Sequence, residues 1–190
     1  MSKEYLTEKE FLKIDYNSQP LPPADFEGCS FQQCSFTGAD LSGYNFTDCL
    51  FSNCNLSGVK IIDTTFNDVI FRESKMLGLH FETANAFLFT VRFEHCMLNL
   101  SSFYKRNMKK IVFEHCSLHE VDFIETNLSE AVFNNCDLNL AKFENTNLEK
   151  ADFRKAFNYT IDPEINKLKN AKFSLPQAVR LLQKYQLIID

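Results

Sequence analysis

Along most of this chain a large apolar residue falls on every fifth position. The first block runs Phe26, Phe31, Phe36, Leu41, Phe46, Phe51, Leu56, Ile61, Phe66, Phe71, Met76 and Phe81. The register then slips by two residues across 82–87. It resumes as Leu88, Phe93, Leu98, Phe103, Met108, Phe113, Leu118, Phe123, Leu128, Phe133, Leu138, Phe143, Leu148 and Phe153, which makes twenty-six centres in all. A smaller residue stands two positions before each centre, as with Ala24, Cys29, Cys34 and Ala39, or Ala86, Val91, Cys96 and Ser101. The remaining positions are mostly Asp, Asn, Glu, Ser, Thr, Gly or Lys. A period of five matches neither the 3.6 of an amphipathic helix nor the 2.0 of a strand. It matches an all-β solenoid, in which each short run turns one large and one small residue inward, bends, and stacks on the run one coil away.

A longer period of twenty is superimposed. Phe93, Phe113, Phe133 and Phe153 form one series, Phe103, Phe123 and Phe143 a second, and Leu98, Leu118 and Leu138 a third. Four fives per coil predict a four-sided rod with like residues stacked on like. At about 4.8 Å per coil, about six and a half coils give a rod about 31 Å long. The same spacing places Cys96, Cys116 and Cys136 in one inward column, and pairs Cys29 with Cys49 and Cys34 with Cys54. These thiols are expected to be compact, buried and unbridged rather than disulfide or zinc ligands, since zinc needs four ligands converging from different directions. Arg106 occupies a small-residue position, which predicts a distorted turn or a side chain that escapes to solvent.

The repeat defines three segments. Residues 24–157 form the solenoid, with its slip at 82–87. Residues 1–23 keep the phase through Leu6, Phe11, Tyr16 and Leu21 without the small partner, and read as an N-terminal cap or entry strand. Residues 158–190 hold an irregular turn, one final repeat-like unit at Asn170-Ala171-Lys172-Phe173, then a helix and an apolar tail. Ser174 and Gln177 have the spacing of a capping box, with Pro176 in the first turn. Leu175, Val179, Leu182, Tyr185, Leu187 and Ile189 give this end more apolar surface than capping requires, which predicts a homodimer through the C-terminal module.

Composition narrows the chemistry. Phe supplies 20 of the 190 residues and Trp none, as a core of repeated identical slots demands. No apolar run is long enough to span a membrane, and the polar start lacks the apolar stretch of an export signal, so a cytoplasmic location is expected. Net charge is -5, which argues against direct nucleic-acid binding through a basic surface. Within 114–152 the acids Glu114, Glu120, Asp122, Glu125, Glu130, Asp137, Glu144, Glu149 and Asp152 outnumber the bases nine to two, a candidate acidic surface for a basic partner. A basic patch, Lys105, Arg106, Lys109 and Lys110, precedes them. His95 and His115, twenty apart, are expected to stack on an outer face without forming a metal site. No phosphate-binding loop, nucleophile–base pair or metalloprotease motif occurs, so neither catalysis nor a cofactor is expected.

The triplets Ala24-Asp25-Phe26, Ala39-Asp40-Leu41, Ala141-Lys142-Phe143 and Ala151-Asp152-Phe153 resemble the signature of the pentapeptide repeat family. The resemblance implies a right-handed quadrilateral β-helix. In size, in the two blocks joined by a slip, in Lys75-Met76-Leu77-Gly78 leading into it, and in the closing Asn170-Ala171-Lys172-Phe173-Ser174-Leu175-Pro176, the chain is similar to the quinolone-resistance and albicidin self-protection proteins. That subgroup implies a head-to-head dimer whose acidic rod imitates duplex DNA and occupies the DNA-binding saddle of DNA gyrase or topoisomerase IV. The projecting loops of the larger members are not expected between Asp25 and Arg154, and Lys105 to Lys110 interrupt the acidic surface. A scaffold or binding protein with an unrelated partner is the alternative.

Overall fold

The structure, a computed structural model, describes residues 4–188. Large and small residues alternate inward along each side, and every coil lies in parallel register on the next. On one side β1 (Glu4–Thr7), β3 (Ala24–Glu27), β5 (Asn45–Thr47) and β7 (Thr65–Asn67) make a four-stranded sheet. On an adjoining side β2 (Glu10–Leu12), β4 (Ser30–Gln32), β6 (Leu50–Ser52), β8 (Val69–Arg72), β9 (Val91–Glu94), β10 (Val112–Glu114) and β11 (Val132–Asn134) run as one seven-stranded sheet. The other two sides are built of single bridges such as Ser35↔Asn55 and Ser102↔Asp122. The fold is the four-sided parallel β-solenoid that the fives and twenties predict. The segment before residue 24 supplies β1 and β2 and so forms a coil of its own, with Phe11 over Phe31 and Tyr16 over Phe36.

The core is a set of ladders. On the seven-stranded side Phe11, Phe31, Phe51, Phe71, Phe93, Phe113, Phe133, Phe153 and Phe173 stack with ring centroids 4.7–5.5 Å apart. Each ring also meets rings of the neighbouring side edge-on, as Phe113 meets Phe123 at 75°. Burying one such side chain stabilises the fold by about 1.5–3 kcal/mol, and the offset and edge-on contacts add about 0.5–1.5 kcal/mol per pair.

The corners set the residue preferences outside the core. The residue two after a centre turns the chain in the left-handed region, as at Gly43 (φ 71) and at Asp63 (φ 54) in the same column one coil on. Glycine adopts this conformation at no steric cost, and elsewhere Asn, Asp, Glu, His or Lys, and also Gln33, Leu100 and Leu140, are held there by the stack above and below.

The small inward positions are more than space-fillers. The thiols of Cys34, Cys54, Cys96, Cys116 and Cys136 form one column with the Ser74 hydroxyl. Each donates to the main-chain carbonyl of a Phe one coil back: Phe11, Phe31, Phe71, Phe93, Phe113 and, for Ser74, Phe51. Thr126 and Thr146 do the same toward Phe103 and Phe123, both at 2.8 Å. All seven cysteines are buried and unbridged.

The slip departs from the expected register. Ala86 and Leu88, assigned from the fives as the first inward pair of the second block, are exposed. Ala84 and Phe89 take their places, and the extra residues bulge outward with Phe87 77% exposed. The coil here is twenty-two residues long, so Phe71 stacks on Phe93 and Phe81 on Phe103. On the four-stranded side, however, Phe89 meets Phe66 edge-on at 82° instead of stacking. A short bulge therefore stands at the expected slip, and its inward residues differ from the expected ones.

Arg106 explains how the rod tolerates the bulge. The side chain neither distorts its turn nor reaches solvent; it is only 5% exposed. Its guanidinium donates to the carbonyls of Ala84 at 3.0 Å and Asn85 at 2.8 Å, and lies 4.2 Å from the Phe89 ring centre. One coil on, the backbone amide of Asn127 reaches the Arg106 carbonyl. Between 84–85 and 106–107 no such amide bond is present among the described residues, and the arginine side chain bonds the carbonyls in its stead.

At the far end, α1 (Leu175–Ala178) continues into a 3-10 helix over Val179–Tyr185. The capping box does not form. Ser174 makes no side-chain cap bond; its carbonyl instead accepts from the amides of Gln177 and Ala178.

Candidate functional site

The nine acids of 114–152 are spread around the rod. Glu114 and Asp152 stand on the seven-stranded side, Asp137 on the next, Asp122 and Glu144 on the third, and Glu149 on the fourth. Glu120, Glu125 and Glu130 take three different left-handed corners, with φ of 55, 55 and 61. Residues five apart in sequence lie a quarter-turn apart in space, so a run of acids along the chain becomes a belt and not a face.

Neighbouring coils also answer this charge. Lys105 lies 3.4 Å from Glu125, Lys109 3.3 Å from Glu130, Arg92 3.8 Å from Glu114, and Arg154 2.6 Å from Asp152. His119 approaches Asp137 at 2.8 Å. The Arg154 hydrogen bonds hold the Asp152 carboxyl below its ordinary range. Glu130 is likewise lowered, first by its hydrogen bond from Lys109. Exposed pairs of this kind contribute little to stability, but they remove net charge. These four cations, with Lys142 and Lys150 inside the stretch, leave the nine acids about three negative charges over two coils, a rise of about 10 Å. Duplex DNA carries about six over that length. Glu120, Asp122, Glu144 and Glu149 have no cation partner among the described residues.

The remaining sequence-selected groups fall as follows. His95 and His115 stack 4.6 Å apart at 3°, and His115 meets the Asn135 amide at 3.3 Å. No group of three or more His, Cys, Asp or Glu residues suited to a metal ion occurs among the described residues. No helix among them is long and apolar enough to cross a membrane.

At the C-terminal end Leu175, Val179, Leu182, Tyr185 and Leu187 are all exposed, and so is Ile188; Ile189 lies outside the described residues. Pro176, Val179, Leu182 and Leu187 line a shallow groove there together with Arg180, Gln183 and Gln186. The helix is tied to the last coil by polar bonds. Lys184 sits 2.6 Å from both Asp162 and Glu164, and the Tyr185 hydroxyl donates to Glu164 at 2.5 Å. The Lys184 bonds hold both carboxyls below their ordinary range.

What the sequence did not point to is the surface around the slip. There the bulge, the buried Arg106 and the bases Arg92, Lys109 and Lys110 come together. The available signal was the arginine in a small-residue column, twenty-two residues after Ala84.

Two stretches, residues 24–88 and 86–160, match the family model described as a pentapeptide repeat region, and their junction falls on the bulge. Among solved structures, a trypsin-treated form of QnrB1, a plasmid-mediated fluoroquinolone resistance protein, is 19% identical over 99% of this chain and 98% of that one, with a TM-score of 0.53. HetL, a pentapeptide repeat protein involved in heterocyst differentiation regulation from the cyanobacterium Nostoc, is 15% identical over 90% of this chain and 85% of its own, with a TM-score of 0.42. No curated protein sequence matches significantly.

Proposed function

Because the chain belongs to the pentapeptide repeat family, we propose that it is a non-catalytic binding protein that imitates duplex DNA and occupies the basic DNA-binding saddle of DNA gyrase or topoisomerase IV, modulating the action of their inhibitors. The observation that carries this reading is the belt of carboxylates on a solid rod. Acids recur at each coil and on every side, as phosphates do around a duplex, and the rigid core holds them without an ordering cost on binding. Their charge after internal pairing is about half that of DNA, so recognition rests on spacing and shape together with charge. The location that fits is the cytoplasm, where such a partner is found.

Two copies joined through their C-terminal ends complete the proposal. Leu175, Val179, Leu182, Tyr185 and Leu187 form the apolar surface, and a two-fold axis through it doubles the rod. A single rod, nine stacked rings from Phe11 to Phe173 and so about 38 Å long, covers only part of a DNA-binding saddle.

The test is gyrase supercoiling with purified protein, with and without a quinolone or an albicidin-type inhibitor. Restored supercoiling under drug, or inhibition without it at higher protein concentration, supports the mimic. Gyrase unaffected at micromolar excess in both arms refutes it. The second reading, a scaffold for an unrelated partner, is favoured by the basic and apolar surface at the slip, which a basic saddle would not attract.

A further inference from the structure

The four-stranded sheet stops at Thr65–Asn67, although the seven-stranded sheet beside it runs on through the slip. On that side no bridge joins residues 84–91 to 106–110 among the described residues, and pairing resumes only with Asn107↔Asn127. The separated segments enclose a cleft of about 350 Å³. Phe89, Val91, Met108 and Ile111 give it apolar walls, Arg92, Lys109 and Lys110 give it a basic rim, and no acid lines it. In a chain of net charge -5 a cleft rimmed by bases stands out, although carboxylates outside it pair with Arg92 and Lys109.

One wall of the cleft is a single bridged residue, Asn107, and the corner that follows it, where Met108 to Ile111 close a turn with Lys110 at φ 66. The amides of Met108 and Lys110 bond away from it, to the carbonyls of Asn127 and Ser129. The alternate amides, Asn107 and Lys109, have no backbone acceptor among the described residues. Arg106 holds the opposite wall at Phe89, whose ring centre lies 4.2 Å from its guanidinium, beside its bonds to Ala84 and Asn85, so the opening is part of the folded coil. Lys110 makes no ion pair among the described residues. Lys109 leans on Glu130, and Arg92 on Glu94 and Glu114, but both side chains are about half exposed, and such pairs exchange partners at small cost.

We propose that this cleft is a docking groove for an acidic, extended segment of a partner protein. One main-chain carbonyl of the segment accepts from the Asn107 amide, left open by the missing bridge, and a second accepts from the Lys109 amide at the corner. Its carboxylates meet Arg92, Lys109 and Lys110, and one bulky apolar side chain lies against Phe89 and Met108. Charge complementarity selects this occupant over a basic or neutral one. Its test involves no topoisomerase, so it stands or falls independently of the topoisomerase reading.

The probe is a phage-displayed library of random peptides about twelve residues long, selected on the intact protein. The doubly reversed Lys109→Glu/Lys110→Glu variant, its fold checked by circular dichroism, serves for comparison. Enriched peptides are expected to be net negative with at least one large apolar residue, and to bind the variant at least about tenfold more weakly. Amide hydrogen exchange of the intact protein with a synthesised winner is expected to slow at Asn107 and Lys109. Enrichment of basic or uncharged sequences, or no enrichment, overturns the proposal. So do equal binding to the variant and protection confined to other coils. If the double reversal does not fold, Lys109→Gln/Lys110→Gln replaces it, with the same loss of binding expected.

Discussion

Arg106 offers the sharpest test of how the coil accommodates its two extra residues. Thr126 and Thr146 hold the same inward column, so Arg106→Thr restores the repeat's own preference and by periodicity alone should stabilise. The structure requires the opposite. Two hydrogen bonds from a charged donor are lost, each contributing about 1.5–3 kcal/mol, along with a cation–π contact of about 1 kcal/mol or more. Against this stands the relief of burying a cation, several kcal/mol. Burial does lower the guanidinium pKa, and the Glu82 charge works against that shift. The net expected loss is about 3 kcal/mol, most of it the cost of leaving two buried carbonyls unbonded.

The reasoning is isolated by a second change. Deleting Ala86 and Phe87 leaves Ala84-Asn85-Leu88, a regular small-polar-large triplet, and returns the coil to twenty residues. In that background Arg106 has no bulge to bond, and Arg106→Thr should become neutral or stabilising. Urea unfolding followed by circular dichroism, on the four proteins of the cycle, measures the coupling. Equal effects of Arg106→Thr in both backgrounds, within about 0.5 kcal/mol, would refute the role assigned to the arginine.

Three further outcomes are expected. Burial pushes the thiols of Cys49 and Cys54 up to about 12, so at pH 8 only about one molecule in ten thousand carries the thiolate; neither should react with Ellman's reagent until the chain is unfolded, and rapid native labelling would contradict the buried column. Asp162 and Glu164 have carboxyls held low by Lys184, so their contribution is complete above the ordinary carboxylate range and is lost as pH falls through their folded values; amide protection over 175–186, taken relative to the unfolded chain at each pH, should fall below about pH 4, and protection constant down to about pH 2 would exclude the tether. On the proposed C-terminal dimer, light scattering should find two copies for the unaltered chain and one for Leu182→Glu with Tyr185→Lys, with the far-ultraviolet spectrum unchanged; a monomer in the unaltered chain would refute the dimer, and an unchanged dimer in the variant would refute this interface.

The interior was almost wholly legible, because each inward slot accepts one large or one small residue and the chain states this at every fifth position. The slip was legible as a count but not as a place. Leu88 and Ala86 fit the arithmetic, yet Phe89 and Ala84 are buried, since a bulge can open at any point between two intact corners and side-chain packing chooses which. Arg106 was visible as an anomaly, but its bonds to Ala84 and Asn85 depend on carbonyls that only a broken ladder leaves free. The acidic surface was the least legible part. Counting Glu114 to Asp152 along the chain treats neighbours in sequence as neighbours in space, whereas a corner every five residues distributes them around the rod. It also omits Arg92, Lys105, Lys109 and Arg154, which arrive from other coils or from beyond the counted stretch. The capping box at Ser174 failed for a local reason: the Gln177 amide that the Ser174 hydroxyl would have capped bonds the Ser174 carbonyl instead.

The interrupted sheet has a mechanical consequence. Through the slip, three sides of the rod keep their bridges, as at Phe71↔Phe93, Lys75↔Met97 and His80↔Ser102, while the fourth does not. A beam notched on one side is not equally stiff in all directions. It flexes most readily about an axis parallel to the notched side, opening or closing the notch, and resists sideways bending. The two halves of this rod therefore share one soft direction of bending, set by two surplus residues and limited by the reach of one arginine.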